Sequence, residues 1–91
     1  MKKPSGYQVF WHPAAEDQLT VIWTAAIDRA AIAAAADACD QALRYNPHGV
    51  GESRDGAYRL GIIGPLAFMF RVSEPDRIVR VMRVWHARRT R

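Results

Sequence analysis

Arginine side chains recur in the last third of the chain, inside segments that otherwise consist of apolar and β-branched residues. Residues 59–91 contain eight Arg, no Lys and two carboxylates, whereas residues 1–58 contain five Lys or Arg against seven Asp or Glu. The planar guanidinium group binds phosphate or carboxylate through two parallel hydrogen bonds, and a one-sided basic composition is typical of proteins with polyanionic partners. Nucleic acid is therefore the first candidate partner. A solvated basic surface is the alternative interpretation.

Of the three histidines, His86 lies closest in sequence to the arginine-rich segments. Histidine is the side chain most often used for proton transfer near neutral pH. His12 ends a predicted strand and His48 lies in a predicted loop, without the spacing of a metal site, so we predict structural or incidental roles for both and no metal or cofactor. Cys39 is a single cysteine, which leaves no internal disulfide and fits a reducing compartment.

Three short strands are predicted to position the arginines. Their apolar runs cover Tyr58 to Ile63, Leu66 to Val72 and Ile78 to Trp85. Gly64-Pro65 separates the first two runs and Glu74-Pro75-Asp76 the last two, as expected for strands connected by hairpins.

The place of each arginine in its strand predicts the face that it occupies. Arg59 begins the first of these strands, and Arg71 lies near the end of the second. Arg83 is two residues before Trp85 and shares its face, whereas Arg80 points the opposite way in a regular strand. A β-bulge would change that parity.

The first half of the chain predicts a strand and two helices. Tyr7 to Trp11 is aromatic and β-branched, as in a strand, and Pro13 to about Ala26 has the apolar spacing of an amphipathic helix. Asp28 is the predicted N-cap of a second helix, which Asn46-Pro47 ends, with Asn46 in a left-handed cap. One long kinked helix is the alternative, and Pro47 to Gly56 is a predicted loop. The predicted fold class is α+β, in the order β-α-α-β-β-β, with a helical hairpin packed on a mainly antiparallel four-stranded sheet.

The length of 91 residues predicts a single domain over residues 1–91, with residues 1–6 and 87–91 expected to be flexible. No apolar run approaches the roughly 20 residues that cross a membrane, and the first residues lack the apolar core of a signal peptide. We therefore expect a cytoplasmic protein without membrane contact.

Several of these features, in this order, resemble the RelE/ParE superfamily of toxins from bacterial type II toxin–antitoxin systems. The resemblance begins with a short strand that leads into Pro-Ala-Ala-Glu-Asp-Gln-Leu (13–19) and a helix that closes on Leu43-x-x-Asn46-Pro47. It continues through Tyr-Arg-Leu (58–60), Gly-Pro-Leu (64–66), Phe-Arg-Val (70–72) and Asp-Arg-x-Val (76–79) to Val-Trp-His-Ala-Arg-Arg (84–89). It covers nearly the whole chain.

The resemblance implies a toxin that a cognate antitoxin neutralises, typically acidic and encoded beside it. RelE-like members cleave mRNA, usually in the ribosomal A site and without a metal, whereas ParE-like members inhibit DNA gyrase. For RelE-like cleavage it implies that Arg59, Arg71 and Arg83 hold phosphate and that His86 transfers a proton. Arg80, Arg88 and Arg89 are further predicted nucleic-acid contacts.

The chain departs from the ribosome-dependent nucleases at several positions. Gly61 and Ile63 stand where those enzymes carry further basic residues, Ala67 stands where they often have arginine, and no tyrosine follows His86. A ParE-like gyrase inhibitor without nuclease activity, or a non-catalytic homologue that binds an antitoxin, therefore remains an alternative.

Overall fold

The computed structural model describes residues 6–53 and 56–87. Their elements are β1 (Gln8–Trp11), α1 (Pro13–Ala25), α2 (Arg29–Tyr45), a 3₁₀ turn (Pro47–Gly49), β2 (Glu52–Ser53), β3 (Tyr58–Ile63), β4 (Leu66–Ser73) and β5 (Ile78–His86). They form one sheet in the order β1-β5-β4-β3-β2, in which β1 runs parallel to β5 and the other neighbours are antiparallel. The predicted α+β class and element order are confirmed. The described sheet has a fifth strand, because β2 forms within the segment predicted as a loop.

The two helices begin where the sequence predicts. Pro13 occupies the first turn of α1, and His12 caps that turn by accepting a hydrogen bond from the Ala14 N–H at 3.0 Å on its Nδ1. Asp28 accepts from the Ala31 N–H at 3.0 Å and caps α2, so two helices form rather than one kinked helix.

The end of α2 differs from the prediction in its backbone. Asn46 has a φ of −151°, which is extended, so the expected left-handed cap is wrong. Its N–H still donates to the Ala42 carbonyl, and the buried Pro47 begins the 3₁₀ turn. The chain therefore leaves the helix because proline cannot continue it, without a left-handed residue.

Both helices pack against the same side of the sheet, where the core lies. Small residues on the helices (Ala15, Ala35 and Cys39) let them approach the strands closely. The buried residues of this core are Ala15, Ile32, Ala35, Cys39, Leu43, Leu66, Phe68, Phe70, Val79, Val81 and Val84. No helix of the described residues is long and apolar enough to cross a membrane.

A β-bulge in β5 changes the faces of the arginines. Phe70 pairs with Val81 and Met69 pairs with Arg83, so Met82 is the extra residue. Val81 and Val84 are both buried although they are three residues apart, which a regular strand does not allow. Arg80 and Arg83 therefore lie on the same face, so the opposite orientation expected of a regular strand does not occur and the bulge alternative does.

Candidate nucleic-acid interface

The side of the sheet opposite the helices is called the open face here, since no described element packs on it. The strand register assigns alternate residues of each strand to this face. They are Gln8, Phe10, Glu52, Tyr58, Leu60, Ile62, Ala67, Met69, Arg71, Ser73, Ile78, Arg80, Arg83 and Trp85. The open face thus combines three predicted site arginines with aromatic and aliphatic side chains.

Four residues form a row across four neighbouring strands of the open face, in the order Phe10, Arg80, Arg71 and Tyr58; we call it the arginine row. Arg80 pairs with Phe10 on one side and with Arg71 on the other, and Arg71 pairs with Tyr58. The guanidinium carbon of Arg71 lies 5.7 Å from the centroid of the Tyr58 ring, a cation–π contact. Phe10 is 49% exposed and Tyr58 is 37% exposed, so both rings are accessible.

The central pair of the row places two positive charges directly opposite each other. Like charges in this position destabilise a sheet. In the described part of the chain, no carboxylate forms an ion pair with Arg71, Arg80 or Arg83; the ion pairs found there are Arg44 with Asp40 and His48 with Glu74. These three exposed guanidinium groups therefore have no carboxylate counter-ion among the described residues.

The neighbouring rows of the open face become more apolar toward the far end of β5. Arg83 lies beside Met69, and Leu60 follows on β3. Trp85 lies beside Ala67 and is 41% exposed. The positive charge is thus bordered by an apolar area, and the carboxylate of Glu52 on β2 lies beyond it, beside Leu60.

Arg59 lies apart from these arginines, because it pairs with Phe70 and faces the helix side of the sheet. Its guanidinium donates to the carbonyl oxygens of His48 (2.9 Å), Gly51 (3.1 Å) and Val50 (3.2 Å), and to Ser53 Oγ at 3.5 Å. These contacts hold the segment that contains the 3₁₀ turn and β2 against β3. The geometry therefore gives Arg59 a structural role and does not place it in one cluster with Arg71 and Arg83.

Gly61 and Ile63 share this helix-side face of β3. A Cβ on Gly61 would lie 2.9 Å from Cζ of Phe68 and 3.0 Å from Cγ1 of Val50, so the ring of Phe68 fills the place of a side chain. These positions have no access to the open face. The open-face positions of β3 are Tyr58, Leu60 and Ile62, and none of them is basic.

His86 also lies away from the open face. It pairs with Leu66, a core residue, and its strand position is opposite in parity to that of Arg83. It borders a groove of about 500 Å³ that is lined mainly by apolar residues of α1 and the α1–α2 connection, among them Val21, Ile22 and Ile27. The four residues predicted for catalysis thus divide between two faces: Arg71 and Arg83 on one, Arg59 and His86 on the other. Arg88 and Arg89 lie outside the described residues.

Four side chains at one end of the molecule contact one another and form what we call the brace: Tyr7, His48, Glu74 and Arg77. The Tyr7 hydroxyl donates to Glu74, and His48 Nε2 lies 2.9 Å from the same carboxylate. These hydrogen bonds lower the pKa of Glu74 and raise the pKa of Tyr7. The Arg77 guanidinium carbon lies 4.3 Å from the centroid of the Tyr7 ring. The brace connects the start of β1, the 3₁₀ turn and the β4–β5 turn.

Within the described residues, no three His, Cys, Asp or Glu side chains are placed to hold a metal ion. Burial raises the pKa of the Cys39 thiol to about 12, so this cysteine stays protonated and suits the core better than nucleophilic chemistry.

Sequence reasoning missed Phe10 and Tyr58, although both belong to the open face. Their signal was the alternation of their strands: Phe10 lies between Val9 and Trp11, which pack on the core, and Tyr58 lies two residues before Leu60. That alternation assigns both rings to the face opposite the core, whereas their places beside Arg80 and Arg71 depend on the strand register.

These observations define a class of protein. It has an α+β fold, with a pair of helices on one side of the sheet and an open face that carries arginines on the other. No family model matches the sequence, and no curated protein matches it. Solved structures do match.

A chain from the toxin–antitoxin complex RelBE2 of Mycobacterium tuberculosis superposes with a TM-score of 0.72 at 20% identity, covering 96% of this chain and 98% of that chain. A chain from the chromosomal ParDE TA system of P. aeruginosa gives 0.64 at 18% identity, covering 90% and 97%. TrmO from P. aeruginosa gives 0.61 at 20% identity, covering 93% of this chain but 35% of TrmO. The fold is therefore RelE/ParE-like, and the resemblance found in the sequence is confirmed at the level of the fold.

Proposed function

We propose that this protein is the toxin of a type II toxin–antitoxin system and that it acts on RNA through its open face. The observation that carries the proposal is the Arg71–Arg80 pair, two directly opposed cations with no carboxylate partner among the described residues. An anion bound between the two guanidinium groups would offset their repulsion, which supports a polyanionic ligand.

Metal-free RNA cleavage needs cations on the phosphate, a base for the 2′-OH and an acid for the leaving oxygen. Arg71, Arg80 and Arg83 hold the phosphate and stabilise the charge that develops on it. Tyr58 adjoins Arg71 and carries a hydroxyl that both donates and accepts hydrogen bonds, so it is the proton-transfer candidate within the row. His86 receives no role in this scheme, since it lies on the helix side of the sheet.

An antitoxin is the partner that best fits such a protein. Two of the structures that this chain resembles come from toxin–antitoxin systems, which supports a protein partner for this chain too. An acidic segment would neutralise the three open-face arginines and cover the row at the same time. We therefore expect an acidic antitoxin, encoded beside this chain.

Gyrase inhibition without cleavage is the second candidate. It is favoured by the composition of the open face, where the described residues include no histidine. In that case the arginines bind an acidic surface of the topoisomerase instead of RNA.

Induced expression in a bacterial host tests the proposal. We expect growth arrest with rapid mRNA loss, which Arg71→Ala and Arg80→Ala abolish. Arg44→Ala is the matched control, since Arg44 is an exposed arginine on α2, away from the open face. His86→Ala should leave mRNA cleavage unchanged.

Growth arrest with intact mRNA and an SOS response would instead establish the gyrase alternative. Normal growth at verified expression would refute a toxic function altogether.

A further inference from the structure

We propose that the arginine row binds one step of single-stranded RNA, with the phosphodiester on Arg71 and Arg80 and the two flanking bases stacked on Tyr58 and Phe10. This inference rests on the proposed function and adds the manner in which bases are held. It assigns Phe10 and Tyr58 as the residues that contact bases, in addition to the arginines that contact phosphate.

The register gives the row its dimensions. Neighbouring strands lie about 4.8 Å apart, so the Cα atoms of Phe10 and Tyr58, three strand spacings apart, are separated by roughly 14 Å. The two guanidinium groups occupy the middle of this span, and an aromatic ring lies at each end. That order of ring, cation, cation and ring matches base, phosphate and base when the two bases are splayed apart.

The exposure of the rings supports a stacking role. Phe10 is 49% exposed on the open face, whereas its neighbours Val9 and Trp11 pack on the core. An exposed phenylalanine between two strand residues that are partly buried gains little from its own fold. Every base has a π-face that can stack on such a ring, and stacking of this kind tolerates different sequences.

The contact between Arg71 and Tyr58 gives the row some preorganisation. With its guanidinium carbon 5.7 Å from the ring centroid, the arginine is held near the ring before any ligand arrives. A phosphate that meets the Arg71–Arg80 pair therefore places its neighbouring base next to Tyr58. Bases in a duplex are stacked on one another and hide their faces, so the row should discriminate against double-stranded RNA.

The test measures binding of short RNA by fluorescence anisotropy. The probe is a six-nucleotide RNA with a 2′-O-methyl group at the central position, which blocks attack by the 2′-oxygen at the central phosphate. Two further probes each lack one of the two bases that flank the central phosphate. We expect the loss of each base to weaken binding by wild-type protein about 5- to 150-fold, the range for one stacked base.

The variants then assign the bases to the rings. In Tyr58→Ala and in Phe10→Leu, which keeps an apolar side chain but removes the ring, removal of the corresponding base should cost nothing further. Tyr45→Ala is the matched control, because Tyr45 is a 76% exposed tyrosine on α2, and it should retain the full wild-type dependence on both bases. Circular dichroism confirms that each variant is folded.

Two outcomes overturn the inference in distinguishable ways. If wild-type protein binds all three probes equally and Arg71→Ala abolishes binding, RNA is held by phosphate alone; the stacking inference falls and the proposed function stands. If wild-type protein binds none of the probes while mRNA loss is still observed in cells, the row is not the RNA site.

Discussion

Neutralising one member of the Arg71–Arg80 pair is expected to make the fold more stable while it removes activity. Directly opposed like charges destabilise a sheet by about 0.2–1 kcal/mol. Because solvent screens these exposed side chains, we expect a destabilisation of about 0.2–0.5 kcal/mol for this pair. Arg80→Gln should therefore raise Tm by about 1–4 °C in a domain of this size. The direction of this Tm change is more informative than its magnitude, because most substitutions lower the stability of a protein.

The pair itself is isolated by a double-mutant cycle of Arg71→Gln and Arg80→Gln. Either single change removes the repulsion, so the double variant should gain less than the sum of the two. Urea unfolding followed by tryptophan fluorescence gives the free energies of unfolding of wild type and the three variants. They are measured in low salt and in 1 M NaCl, where the Debye length is about 3 Å. A matched cycle of Arg71→Gln with Arg83→Gln should show weaker coupling, since Arg83 pairs with Met69. Additive effects, or coupling that is unchanged in 1 M salt, would refute the reasoning.

Two further predictions concern side chains outside the open face. Arg59→Ala should destabilise the fold by about 1.5–3 kcal/mol, because the carbonyls of the 3₁₀ turn and the following loop lose a charged donor, whereas Arg71→Ala should not; urea unfolding compares the two. Glu74 has a pKa below its ordinary value of 4.5, so its contribution to stability is present above pH 4.5 and is lost as the pH falls through the lower folded pKa. Tm should therefore fall more steeply below pH 4.5 in wild type than in Glu74→Gln, and equal slopes would contradict a stabilising role for this carboxylate.

The sequence predicted the helices and the three long strands because local signals agree with the tertiary structure there. Asp28 caps α2, Pro47 ends it, and Gly64, with a φ of +56°, forms a two-residue hairpin with Pro65 between β3 and β4. Each signal acts through a few neighbouring residues, so it is visible without knowledge of the fold.

The short strand β2 was not predictable in the same way. Its two residues, Glu52 and Ser53, have no strand propensity of their own, and β2 exists because β3 offers it a partner and because Arg59 fixes the preceding loop. The arginine that we expected to hold phosphate is thus used for the fold.

The candidate site was predicted in residue type but only partly in geometry. Arg71 and Arg83 lie on the open face as the sequence suggested, and Arg80 joins them. Arg59 and His86 do not, because a face in a sheet depends on parity, and parity is fixed by pairing rather than by composition. The proposed chemistry therefore uses the arginine row and not His86.

The bulge at Met82 explains why Arg80 and Arg83 of β5 are three residues apart and still lie on the same face. In a regular strand, Val81 in the core would force Arg83 and Trp85 into the core as well and would expose Val84. The extra residue changes the face of every residue after it. Val84 is therefore buried, at 2% exposure, and Arg83 lies beside Met69 on the open face. The sequence shows this shift. Apolar and charged residues alternate from Val79 to Val81, and Met82 interrupts the alternation because a second apolar residue precedes Arg83. A bulge costs pairing within the ladder, and it is retained where it re-aims side chains. Here it directs Arg83 and Trp85 to the same surface as Arg71 and Arg80, which is the surface that the proposed RNA ligand must contact.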